Sequence, residues 1–175
     1  MADYHRLAEV GILHEDDRVE LLDGQVVVMS PIGPRHAGCV DRLTRLLSRL
    51  AAEKAVVRVQ NPVVLADSAE PEPDLALLRP PIERYAAAHP RPEQVLLVIE
   101  VADSSLAYDR DVKLPMYAAA GIPEVWLVDL EGERILLFRS PRPDGYAEVI
   151  TASRGNSIAP LELPRSVMDV GEILG

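Results

Sequence analysis

Cysteine is nearly absent from this 175-residue chain: Cys39 stands alone, so no intrachain disulfide can form. A lone thiol suits a reducing compartment, and the expected location is the cytoplasm. Aromatic residues make up only 4%, with one Trp and one Phe, which argues against a base-stacking platform for single strands. Positive charge is also scarce. Eighteen Lys and Arg against 28 Asp and Glu leave a net charge of −10. That excludes binding to nucleic acid or an anionic membrane by bulk positive charge, but not a local basic patch or a carboxylate-bound metal facing phosphate. No apolar run approaches the length needed to span a bilayer, and the start, Met1-Ala-Asp-Tyr-His-Arg6, lacks the plan of a signal peptide.

What is present is globular composition, 48% hydrophobic and 26% charged, in a length that suits a single domain over 1–175. A short helix is expected over 3–10 with Asp3 as its cap. Residues 18–30 read as a β-hairpin, because Asp23-Gly24 suits a tight turn with two positive-φ positions. A helix follows over 35–52. Val40, Leu43, Leu46, Leu47 and Leu50 form its apolar face, and Asp41, Arg42, Arg45 and Arg49 the other. Strand character returns at 55–65 and 75–78. The continuous apolar run Val95–Val101 suits a strand covered on both faces.

Gly121 and Pro123 end a helix expected over about 110–120. Its start is placed near Asp111, because Pro115 fits only a first turn. Strands 125–128 and 134–138 make a second hairpin, 145–150 adds an edge strand, and the tail beyond 151 carries no clear pattern. The order predicts an α/β fold with a mixed central sheet and helices on either face.

Three residues carry chemical information. Asp74 opens a strand after Pro73. Glu100 is the only charge in the run 95–101, so a central strand would need it paired, protonated or metal-bound. The plainer alternative is a strand end reaching solvent. Two carboxylates on adjacent strand ends, with the carbonyl of Val101, offer oxygen ligands to Mg²⁺, which keeps several waters and can activate one against phosphorus. Lys113 follows the loop after that strand and could steady the attacking water or the extra negative charge. Its plainer alternative is a solvated helix residue paired with Asp109. Tyr117, one helical turn later, could touch the same place or simply pack. His36 and Cys39 lie three apart on a helix, but two residues make no zinc site. Ser104 and Ser105 suit loop capping better than nucleophilic catalysis.

The run VIEVADSSLAYDRDVKLPMYAAAGIPEVWLVD, 98–129, resembles the signature of the Uma-two family of restriction-endonuclease-like proteins, within the PD-(D/E)XK nuclease superfamily. Val19–Gln25, Met29-Ser-Pro31, His36 and Glu72-Pro-Asp-Leu75 extend the resemblance over about 4–150. It implies a restriction-endonuclease-like mixed sheet with an N-terminal hairpin, and Mg²⁺-dependent hydrolysis of DNA, with Mn²⁺ as substitute. Asp74 and Glu100 take the two metal-binding positions. The usual lysine two residues after the second acid is replaced by Ala102, and the resemblance supplies it from the next helix as Lys113. Glu20 matches an auxiliary acid, with an outward-facing hairpin glutamate as the alternative. His36 also matches a family position and could face the substrate groove; apart from the resemblance, Asp109 is placed to orient Lys113.

The net charge and Ala102 support a second reading: a weak or inactive nuclease-like fold serving as a DNA-binding or protein-assembly module. Arg35, Arg42, Arg45 and Arg49 are the candidates for a DNA groove. A homodimer could pair along the 134–150 hairpin.

Overall fold

The computed structural model describes residues 2–14 and 16–175. Six strands form the central sheet in the order β3-β4-β5-β6-β7-β8. They are β3 (Val56–Val59), β4 (Leu75–Leu78), β5 (Val95–Ala102), β6 (Glu124–Asp129), β7 (Arg134–Arg142) and β8 (Gly145–Ser153). Only β5 and β6 run parallel; the remaining neighbours are antiparallel. Every residue of β4, β5 and β6 is buried, which is why these strands are apolar throughout instead of alternating. The expected mixed α/β sheet is observed.

The Asp23-Gly24 turn forms as its chemistry requires, with φ of 47° and 76°. It joins β1 (Val19–Leu22) to β2 (Gln25–Val28) in a separate two-stranded sheet. This hairpin is tied to the chain before β4 by a bridge between Leu21 and Glu70. Helix α1 (Ala2–Glu9) starts one residue earlier than expected, so Asp3 lies in its first turn and does not cap it.

Helix α2 (Pro34–Ala51) covers one face of the sheet with Cys39, Val40, Leu43, Leu46 and Leu47. Leu75, Leu77, Leu97, Ile99 and Trp126 meet it from β4, β5 and β6. The opposite face packs Ala76, Leu78, Val98 and Leu127 against Tyr117 and Ile122.

The β5–β6 crossover departs from expectation. It is already helical at α3 (Leu106–Tyr108), passes through a π-helical turn at Asp109–Lys113, and continues as α4 (Leu114–Ala119). The N–H of Leu114 reaches back five residues to the Asp109 carbonyl. Pro115 lacks a donor, and the widened turn accommodates that lack without ending the helix. Gly121, at φ 80°, then stops it as expected.

The tail builds a small ribbon, β9 (Ser157–Ile158) with β10 (Met168–Asp169), and then α5 (Val170–Leu174). Asp169 caps α5 by accepting from the N–H groups of Gly171 and Glu172. Among the described residues, no helix is long and apolar enough to cross a membrane.

Candidate active site

The period of two along a strand places Asp74 on the same sheet face as Ala76 and Leu78, and Glu100 on the same face as Val98 and Ala102. The Leu75–Ile99 pairing makes the two acids neighbours across the β4–β5 ladder. The crossover helix covers that face and delivers Lys113. The hairpin closes from the side, bringing Glu20. One cleft of about 550 Å³ is lined by Glu20, Asp74, Glu100 and Lys113, together with Val101, His36 and Asp109.

Lys113 is 5% exposed, and its ammonium lies 3.0 Å from Glu20 Oε2 and 3.4 Å from Glu100 Oε1. Burial opposes its charge, but Glu100, Glu20 and Asp109 outweigh that and raise its pKa. The solvated pair with Asp109 is therefore corrected: Asp109 is buried and accepts instead from the Ser105 hydroxyl at 2.6 Å. Neither acid partner reaches outward, since Glu20 is 3% and Glu100 4% exposed. The wide π turn buries Asp109 and Lys113 together. Glu20 also accepts from the backbone N–H of Glu72 at 3.2 Å, which locks the hairpin to the Pro73–Asp74 segment.

Glu100 takes the Tyr117 O–H at 2.6 Å, so Tyr117 touches the acid while its fully buried ring packs. Burial nevertheless pushes the Glu100 carboxyl up to about 8, with Lys113 and Tyr117 pulling the other way. Asp74 is held from two elements. Its Oδ2 accepts the Val101 N–H at 2.8 Å and lies 3.0 Å from His36 Nε2. That hydrogen bond raises the His36 pKa against the effect of burial. On Oδ1 the Gln60 amide donates at 3.4 Å.

Gln60, Glu72, Arg18 and Asp103 had no assigned role in the sequence reading. Glu72 belongs to the Glu72-Pro-Asp motif, which marks it in the sequence. Gln60 left no signal, because only the β3–β4 pairing brings it to Asp74. The arginines expected to form a groove stand apart from the acids, and Arg35 and Arg42 line a second cleft together with Arg154. Arg35 binds Asp103 and the Leu130 carbonyl, while Arg42 donates to the Ile173 and Leu174 carbonyls of α5. Arg45 and Arg49 are exposed, and none of the four lines the cleft. Cys39 is fully buried, and burial drives its thiol up to about 11, a core group and not a ligand.

The donor set fits Mg²⁺. Among the described residues, no group of three His, Cys, Asp or Glu side chains could hold a metal. Two carboxylates and the Val101 carbonyl remain, and Mg²⁺ characteristically takes one or two carboxylates and completes its shell with water and phosphate. A buried carboxyl raised to about 8 is a group whose ionised form a divalent cation would stabilise.

The family model of Uma2, described as "Putative restriction endonuclease", matches residues 1–171. The chain belongs to the Uma2 family. A solved structure, described as a "putative nuclease belonging to DUF820" from Anabaena variabilis, superposes with a TM-score of 0.77 at 14% identity. The match covers 96% of each chain and gives this Uma2 protein a nuclease-like fold. No curated protein matches it.

Proposed function

We propose that this Uma2 protein is a Mg²⁺-dependent DNA endonuclease whose lysine has moved from the strand to the following helix. One observation carries the reading: Lys113 contacts both Glu20 and Glu100 inside a cleft that Asp74 also lines. Asp74, Glu100 and the Val101 carbonyl would hold the ion. Bound there, Mg²⁺ supplies Lewis-acid polarisation of a phosphoryl oxygen and a lower pKa for a coordinated water.

The chain's own groups do the rest. Val101 N–H and His36 fix the rotamer of Asp74, and Tyr117 fixes Glu100. Lys113 stays protonated among its acids and presents fixed positive charge where negative charge grows in the transition state. The cleft lining holds six carboxylates, Glu20, Glu72, Asp74, Glu100, Asp103 and Asp109, which supports the need for a divalent cation before phosphate can approach.

Plasmid cleavage with Mg²⁺ or Mn²⁺ tests this reading, comparing wild type with Asp74→Asn, Glu100→Gln and Lys113→Met. Each variant is expected to lose at least about a hundredfold in rate while keeping its circular dichroism spectrum. Cutting by all three at the wild-type rate defeats the reading. Salt-dependent DNA binding without metal-dependent turnover favours the binding-module alternative. A homodimer along the open edge of β8 belongs to the same reading, and analytical ultracentrifugation decides it.

A further inference from the structure

Lys113 and Arg18 are the lysine and arginine of the cleft lining, and they differ in availability. Lys113 is held in place by two carboxylates. Arg18 is half-buried at the start of the hairpin, where the Met29 N–H bonds to its carbonyl at 2.9 Å. Its guanidinium makes one long contact, 3.5 Å from Nη1 to the Ser30 carbonyl, and forms no ion pair among the described residues. Glu72 and His36 feel its charge without binding it. A guanidinium has five N–H donors in a rigid fork, and here most of them are unclaimed in the wall of an otherwise acidic cleft. Such a fork matches a phosphate bidentately.

We propose that Arg18 is the substrate-phosphate contact of this cleft. It grips a phosphate of the bound strand beside the one being attacked, and so sets the strand's position relative to Asp74 and Glu100. This rests on the nuclease reading. Because Arg18 makes no hydrogen bond or ion pair to Asp74, Glu100 or Lys113 among the described residues, it governs substrate affinity and leaves the chemistry of the acids alone.

The experiment uses the full chain and a fluorescein-labelled DNA duplex. Anisotropy is read in Ca²⁺ across a salt series, and steady-state cleavage in Mg²⁺. Arg18→Ala is expected to weaken binding about ten- to a hundredfold, and to reduce the slope of log K against log salt by about one. KM should rise by a similar factor with kcat little changed, and Arg18→Lys should restore the slope but only part of the affinity. An Arg18→Ala protein with wild-type KM and salt slope overturns the proposal, as does one that loses thermal stability with no change in KM. Wild type that cuts while Arg18→Ala is unaffected leaves the nuclease reading standing. Wild type that neither binds nor cuts removes both.

Discussion

Glu100 shows how burial and pairing compete at a single residue. Its carboxyl, raised to about 8 in the folded protein, has an ordinary value of 4.5 once unfolded. Between those values the folded state binds the extra proton. Stability without metal is therefore greatest below about pH 4.5 as far as this group is concerned, and declines as pH rises through 8. The slope is at most about 1.4 kcal/mol per pH unit. Thermal melts in EDTA should show a falling Tm over that window, and Glu100→Gln, neutral throughout, should flatten it. An unchanged slope in the variant would assign the trend to other groups. Tyr117→Phe deletes one donor to Glu100 while keeping the ring in the core. The expected cost is about 1–2 kcal/mol, together with weaker Mn²⁺ binding by calorimetry, since the carboxylate loses its fixed orientation.

The elements matter because each carries one part of the site. The hairpin β1–β2 brings Glu20, and its turn depends on two left-handed residues, Asp23 and Gly24. A side chain at Gly24 would meet nothing within 4 Å, so Gly24→Ala isolates the conformational penalty. About 1 kcal/mol of stability should go, with a measurable fall in activity through a displaced Glu20. At the other end of the chain, Asp169 satisfies two orphan N–H groups of α5. Asp169→Ala should cost about 1 kcal/mol in urea melts and leave activity unchanged, because α5 packs on α2 far from the acids in sequence and on the opposite sheet face. The crossover helix is the element sequence reasoning placed least well. Pro115 argued for a start near Asp111, whereas the π turn lets the helix begin at Leu106.

For the whole molecule, with a charge of −10 and an acidic cleft, a divalent cation held as proposed would also be a stabilising ligand. Any ligand that binds only the folded state raises its stability by RT ln(1 + [L]/Kd). Millimolar Mg²⁺ should raise the Tm of wild type and leave that of an Asp74→Asn, Glu100→Gln double variant unmoved. A thermal shift series with Mg²⁺ against an equal ionic strength of NaCl separates site binding from general screening.

Local chemistry and periodicity are enough to place the β1–β2 hairpin with its Asp23-Gly24 turn, the strands of the central sheet, the apolar face of α2 and the stop at Gly121, but not the β9–β10 ribbon of the tail. The sequence also marked Asp74, Glu100 and Lys113, since a charge inside an apolar run or a long family motif is visible without coordinates. The pairing of Lys113 with Glu20 and Glu100 instead of Asp109, and the presence of Gln60 and Arg18 at the site, come from packing between distant segments. The same packing turns Arg42 inward to the carbonyls of α5. Those outcomes depend on which strands pair and how a widened helical turn rotates its side chains. These are long-range choices that no neighbouring residue encodes.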